Sequence, residues 1–292
     1  MSAPAPVAAF MRDWSLEATY PNAADLDALK AIIRPGTPVY LSAVPTRPIE
    51  HLVACAKAVR AAGLQPVPHL AVRNYADHAS LSDFLMRVTG EADARRVLVI
   101  SGDQDSSLGP FASALDAIES GTLQACGIEE IGIAGYPDGH PRIADSALES
   151  ALVDKLAAAE RVGLRVHIVT QFCFDATQIL VWLRRLRARG IGIEVRIGMV
   201  GPTSVTALLR YARRCGVRAS ARGLARHAGT MRQLLTEATP DEIARALAVA
   251  CAADNLGPAV SHFFSFGGVV RTAQWAVASS RHTPANVRSK VG

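Results

Sequence analysis

Short runs rich in Val, Ile and Leu alternate along the chain with longer stretches of helical period, the pattern of repeated strand–helix units around a parallel sheet. Eight runs qualify as strands: residues 14–20, 38–43, 65–70, 97–101, 130–134, 165–170, 192–197 and 259–264. Between them the apolar spacing predicts helices over 23–33, 49–62, 77–88, 111–120, 145–162, 176–189 and 204–215. Gly63, Gly90, Gly121, Gly163, Gly190 and Gly216 stand just beyond six of these, where a left-handed residue commonly ends a helix. Eight strands with intervening helices favour an α/β fold of the closed (β/α)8 TIM-barrel type over an open doubly wound sheet. Two extra helices, 220–237 and 240–255, precede the last strand, the second opened by Thr239 as N-cap with Pro240 at its first position. No linker interrupts the alternation, so residues 1–292 read as a single barrel domain, with 271–292 a C-terminal helix that frays around His282-Thr283-Pro284.

Composition narrows the function classes. The 292 residues are 50% hydrophobic and 20% charged, which supports a sizeable core and argues against disorder. The net charge of +5 is carried almost wholly by Arg, since only four of the 31 basic residues are Lys. Its densest part, Arg210, Arg213, Arg214, Arg218, Arg222 and Arg226, fits either a solvated helix face or a grip on an anionic substrate tail. Tyr211 is the one aromatic residue within it and no nucleic-acid motif appears, so nucleic acid is not an expected partner. Cys55, Cys126, Cys173, Cys215 and Cys251 are odd in number and far apart, which disfavours disulfides and structural zinc. The start lacks a basic segment followed by an apolar one, and no run of 18 apolar residues occurs, so the expectation is a cytoplasmic protein without a membrane partner.

A barrel carries its chemistry at the C-terminal ends of its strands, and polar residues gather there. Glu17 lies in the first strand, His69 ends the third, Asp103 follows Ser101-Gly102 after the fourth, Tyr136-Pro137-Asp138-Gly139-His140 follows the fifth and Gln171 the sixth. Desolvation in an apolar strand should raise the pKa of Glu17, which suits a general acid, whereas Asp103 at a strand exit stays ionised and stabilises positive charge. The plainer alternatives are a buried, satisfied Glu and a helix-capping Asp. No metal is expected, because His69 and His140 have no ligand spacing. A Gly-x-Ser-x-Gly elbow and a Rossmann glycine fingerprint are both absent. Cys173, between Phe172 and Phe174, reads as a core residue.

Taken in order, these segments resemble the methylenetetrahydrofolate reductase family, flavoproteins on a (β/α)8 barrel. Ser15-Leu16-Glu17 stands for the family's Phe-Glu-Phe-Phe-Pro-Pro start, Pro68-His69-Leu70 for Pro-His-Leu-Thr and Gly102-Asp103 for Arg-Gly-Asp. Tyr136-Pro137-Asp138-Gly139-His140-Pro141 stands for Tyr-Pro-Glu-x-His-Pro, Thr170-Gln171-Phe172-Cys173-Phe174-Asp175 for Thr-Gln-Phe-Phe-Phe-Asp, and His262-Phe263-Phe264 for His-Phe-Tyr. The sequence departs from the family at Ala18-Thr19-Tyr20-Pro21, at Ser101 in place of Arg, over residues 197–202, and at Gly267-Gly268 in place of Asn-Arg.

The resemblance implies FAD as cofactor, tetrahydrofolate derivatives and NAD(P)H as partners, and a homo-oligomer. It makes Glu17 the proton donor and Asp103 the carboxylate beside the flavin and pterin. Ser42, His69, Ser101, Gly102, Asp103, Phe111, Ala112, Ala134, Tyr136, His140 and Lys155 match positions that line FAD, and Gln171, Tyr211 and Phe266 match positions that contact substrate. The implied reaction interconverts 5,10-methylenetetrahydrofolate and 5-methyltetrahydrofolate in one-carbon metabolism and methionine biosynthesis, by ping-pong kinetics on one flavin face. The alternative is a flavin- or folate-binding barrel without reductase turnover.

Overall fold

The computed structural model describes residues 5–44, 46–214 and 237–281. Its centre is a closed barrel of strands β1 (Ser15–Ala18), β2 (Pro38–Leu41), β3 (Gln65–Ala71), β4 (Arg96–Ile100), β5 (Glu130–Gly135), β6 (Arg165–Thr170), β7 (Val195–Val200) and β10 (Ala259–Phe264), each parallel to its neighbours. Two further short strands, β8 (Thr203–Ser204) and β9 (Glu237–Ala238), pair antiparallel outside the barrel. Among the described residues, no helix is long and apolar enough to cross a membrane.

The helices α2 (Ala23–Ile32), α3 (Ile49–Ala61), α4 (His78–Ala92), α5 (Ala114–Glu119), α7 (Asp145–Arg161), α8 (Ala176–Ala188), α9 (Val205–Arg214), α10 (Asp241–Ala253) and α11 (Val269–Arg281) follow the strands, with a short α6 (Thr122–Ala125) after α5. Capping chemistry sets several starts. The Asn22 side chain accepts from the Asp25 N–H at 2.9 Å, and Asp77 accepts from the Ser80 N–H at 2.7 Å. Gly63, Gly121, Gly163 and Gly190 take φ of 77°, 72°, 73° and 79°, as expected of helix ends. Gly90 does not: α4 runs through it, and Asp93 supplies the left-handed residue instead.

Other boundaries also move. The seventh strand begins at Val195 rather than at residue 192 and continues to Val200. Arg187 explains its late start, because its guanidinium donates to the carbonyls of Ile191 and Ile193 at 2.7 and 2.9 Å, diverting them from the ladder. A helix α1 (Ala5–Phe10), not expected from the sequence, packs on β10, and the Ser261 hydroxyl donates to the Phe10 carbonyl at 3.2 Å. The helix expected over 220–237 lies outside the described residues except for Glu237, which is in β9 opposite Ser204. Gly216, Cys215 and the tail from residue 282 also lie outside them.

Strand residues alternate between two cores. Leu16, Val39, Leu41, Leu70, Val97, Val99, Ile131, Ile133, Ile197 and Phe263 face the helices in the principal core. Their neighbours face the barrel axis, where Tyr40, Val67, Leu98 and Val169 form a separate cluster. The axis is also strongly polar. Glu130 meets Arg96 at 2.7 Å and His167 Nδ1 at 2.7 Å, and His167 Nε2 lies 2.6 Å from the Tyr40 hydroxyl. Gly132 makes room for this ring, since a Cβ there would fall 2.9 Å from His167 Nε2. His167 thus faces Glu130 with Nδ1 and the Tyr40 hydroxyl with Nε2, joining the three groups in one network.

Above the axis, Arg73 fastens the loop that follows β4. β3 runs into one 3-10 turn, Val72–Asn74. From it the Arg73 guanidinium donates to the carbonyls of Ala112 and Gln104, both at 2.7 Å, while its backbone exchanges hydrogen bonds with Ser101 and Leu108. Sequence reading did not single out this residue.

Two outcomes follow from these contacts. Burial pushes the Glu130 carboxyl up, but His167 and Arg96 outweigh it and bring the pKa down to about 2 from 4.5. This stabilisation is fully present above pH 4.5 and is lost as pH falls towards 2. Glu130→Gln should therefore lower stability at pH 7 by about 3 kcal/mol, the scale for breaking a buried ion pair. The deficit should shrink when denaturant midpoints are measured near pH 3. For the loop, Arg73→Met should speed amide exchange across residues 101–112, leaving strand amides protected in the same mass-spectrometric experiment.

Candidate active site

The C-terminal mouth of the barrel is organised around Glu17. Its inward position on β1 puts it beside β2 and β10, and three elements reach its carboxylate. Ser42, just beyond β2, donates to Glu17 Oε1 at 3.0 Å, and Thr19 donates to the Ser42 hydroxyl at 3.2 Å. His69 from β3 and His262 from β10 bring their Nε2 atoms to 3.6 and 3.7 Å from Glu17 Oε2. Below, the Tyr40 ring presents an edge contact to His262 with centroids 4.8 Å apart. The Glu17 side chain is 15% exposed and His262 fully buried.

This cage reverses one expectation. Burial does push the Glu17 carboxyl up, as the apolar strand suggested, but the attraction of His69 and His262 and the Ser42 hydrogen bond outweigh it, so the group is held below its ordinary value. Burial pushes both imidazoles down against the pull of Glu17. The sequence showed the apolar strand; the two histidines came from strands remote in sequence.

The remaining rim residues stand apart from this cage. Gly102 leaves β4 with φ of 98°, and Asp103 follows it, exposed on the loop fastened by Arg73. The Tyr136 phenol is raised by burial and by the facing Asp103 charge, and its ring meets His140 edge-on at 5.4 Å. Ser101 accepts the Ala114 N–H at 3.3 Å, Ala112 is exposed and Ala134 is half-buried near the end of β5. Phe111 lies in the outer core with its ring against His78 at 4.8 Å. Lys155, half-buried on α7, has its ammonium pushed down to about 8 by burial.

On the other side, aromatic rings run from the cage to the surface. His262 meets Phe264 edge-on at 5.2 Å, Phe264 meets Phe266 at 5.8 Å, and Phe266 stacks on Tyr211 at 3.9 Å with the planes 7° apart. The Arg210 guanidinium lies 5.2 Å from the Tyr211 ring centre. Phe172 touches both Phe264 and Phe266. Beside it, the Gln171 side-chain oxygen accepts the Phe172 N–H at 3.1 Å. The structure thus brings Tyr211 and Phe266 together and joins them through Phe264 to the Glu17 cage. Ser15, Thr19, Tyr40 and His262 were not singled out as site residues. Their signal was a polar side chain at an inward, alternate position of an apolar strand.

Known proteins share this architecture. A family model for methylenetetrahydrofolate reductase matches residues 46–251. Methylenetetrahydrofolate reductase 2 of Saccharomyces cerevisiae is 26% identical over 168 residues, which is 55% of this chain; the chain spans only 27% of the yeast protein's length. A Clostridium thermocellum protein described as binding two copies of 5-methyl-5,6,7,8-tetrahydrofolic acid superposes with a TM-score of 0.58 at 11% identity, over 92% of this chain and 93% of its own, a likeness of fold. Because the family model spans more than half of the sequence, running from the approach to α3 into α10, the chain belongs to the methylenetetrahydrofolate reductase family.

Proposed function

We propose that this protein is an FAD-dependent oxidoreductase that interconverts 5,10-methylenetetrahydrofolate and 5-methyltetrahydrofolate, with NAD(P)H as the electron partner. The observation that carries the reading is Glu17, a largely buried carboxylate at the barrel mouth faced by a hydroxyl and two imidazoles. No Lys or Arg among the described residues pairs with it, so no permanent cation locks it in the ionised form.

The residues present fit a flavin dinucleotide. Lys155 is desolvated by its surroundings, with no counter-charge among the causes of its lowered pKa, and an anionic diphosphate would satisfy it. The left-handed Gly102 keeps the β4 exit free of a side chain, and Ser101, Ala134, Tyr136 and His140, on β5 and at the β4 and β5 exits, would line the cofactor on that side. FAD, when bound, supplies hydride transfer between the two substrates.

The chain's own groups do the rest. Glu17 delivers a proton to N10 of methylenetetrahydrofolate, opening the five-membered ring. Asp103 places negative charge beside the cation that then develops on the one-carbon unit. Gln171 offers a side-chain amide to the pterin, and the Phe266–Tyr211 pair gives a flat apolar face to a planar ring. One mouth serves both substrates, so they bind in turn. The second reading, a flavin- or folate-binding barrel without turnover, rests on the departures at Ser101 and Gly267-Gly268.

Purified protein should carry, or be reconstituted with, a noncovalent chromophore absorbing near ~450 nm, a property of oxidised flavins, which acid precipitation releases. A protein that takes up no FAD would overturn the reading. In stopped-flow half-reactions, Glu17→Gln should slow oxidation of the reduced protein by methylenetetrahydrofolate about 10²–10⁴-fold, the range for loss of a general acid, with reduction by NAD(P)H little changed. Asp103→Asn should likewise affect the folate step more than the NAD(P)H step, because the cation develops only there. Folate binding without any turnover in the wild type would favour the second reading.

A further inference from the structure

We propose that Ser15 and His262 are positioning residues for Glu17: the Ser15 hydroxyl donates to His262 Nδ1, so the ring presents its Nε2–H to Glu17 Oε2 and, with His69, sets how readily the carboxyl releases its proton. This rests on the reading of Glu17 as the proton donor.

The geometry is specific. Ser15 Oγ lies 2.8 Å from His262 Nδ1, both residues are fully buried, and Ser15 and His262 stand opposite each other in the β1–β10 ladder. Hydrogen bonding at one ring nitrogen decides the tautomer and therefore what the other offers. At the far side of the ring, His262 Nε2 is buried and makes no hydrogen bond, as is His69 Nε2, and both converge on the same carboxylate oxygen from 3.7 and 3.6 Å. A donor at that position stabilises the ionised carboxylate and makes Glu17 a stronger acid.

The chemistry needs such an acid. N10 of the folate is an arylamine nitrogen, whose lone pair is shared with the ring and only weakly basic. A carboxyl of ordinary strength in an apolar pocket would hold its proton too firmly to deliver it there. Lowering its pKa sacrifices some protonated fraction at neutral pH but strengthens the driving force for transfer, the usual Brønsted balance. The direction found for Glu17 agrees with this. The charged or titratable groups acting on His262 are Glu17 from β1, His69 from β3 and Arg196 from β7, with Tyr40 from β2 against its ring.

The test begins without ligand. The full chain, labelled with 15N-histidine, is followed by long-range 1H–15N correlation across pH, with His262→Gln used to assign the signal. The expected result is a neutral Nε2–H tautomer for His262 that resists protonation below the ordinary histidine range. Ser15→Ala should mix the two tautomers, Ser15→Thr should restore the single one, and Glu17→Gln should shift the His262 ring nitrogens. In FAD-loaded protein, the folate half-reaction slows as pH rises through the Glu17 pKa. Ser15→Ala and His262→Phe should move that limb up by about one pH unit, the size of losing a donor to the carboxylate, while Ser15→Thr leaves it in place. A wild-type Nδ1–H tautomer, or a Ser15→Ala protein with tautomer and limb both unmoved, would overturn the proposal. The tautomer measurement in the wild type stands even if a variant fails to fold. If Glu17→Gln leaves the folate step unchanged while the tautomer is as described, the proton-donor reading fails and the orientation of His262 by Ser15 survives.

Discussion

A carboxylate at the mouth of a closed parallel barrel is satisfied chiefly by side chains from the barrel's own inward positions, because the strands' backbone N–H groups are engaged in the ladder. Glu17 meets this constraint with one hydroxyl and two imidazoles, each from a different strand or strand exit. The choice of partners matters chemically. Arginine or lysine would fix the charge at all working pH values, whereas neutral imidazoles stabilise it by orientation and leave the proton exchangeable. Much of the upper barrel follows from this arrangement, including the buried Ser15 behind His262 and the Tyr40 ring that fills the layer beneath.

Lower in the axis a second buried carboxylate is treated in the opposite way. Glu130 is gripped by Arg96 and His167 and stays ionised down to about pH 2. It lies at the beginning of β5, at the end of the barrel where side chains serve stability rather than chemistry. Tyr40 belongs to both levels: its hydroxyl completes the lower network and its ring edge supports His262. One barrel thus holds two carboxylates in opposite settings, Glu130 paired with a guanidinium and Glu17 faced by imidazoles and a hydroxyl, with the Tyr40 ring between them.

This division also explains what the sequence could reveal. Strand–helix alternation gave the closed barrel because periodicity is a local property, and all eight barrel strands fall on or beside their expected segments. Misplaced boundaries have tertiary causes: Arg187 withdraws the carbonyls of Ile191 and Ile193 from the seventh strand, and Asp93 rather than Gly90 ends α4. Glu17 was visible as a carboxylate in an apolar strand, but the direction of its pKa shift was not, since that depends on His69 and His262 arriving from strands remote in sequence. Arg73 gave no signal either. Its role arises only where the β3 exit meets the loop after β4.

The departures from the family pattern are also less independent than they look in one dimension. A Cβ on Gly267 would lie 2.1 Å from the Pro202 carbonyl, and one on Gly201 would lie 2.5 Å from the Thr272 side chain. The Gly201 N–H donates to the Phe264 carbonyl at 3.0 Å, drawing the exits of β7 and β10 together. The altered stretch over 197–202 and the glycine pair at 267–268 therefore form one structural adjustment: the chain closes this side of the mouth backbone to backbone, and any side chain at Gly267 would force it open. Ser101 has a comparable local explanation. It accepts the Ala114 N–H at the start of α5, while the guanidinium that steadies the β4 loop comes from the neighbouring strand exit, at Arg73. Reversing one departure alone should thus be destabilising, because the family's side chain at position 267 has space only if the loop after β7 changes with it.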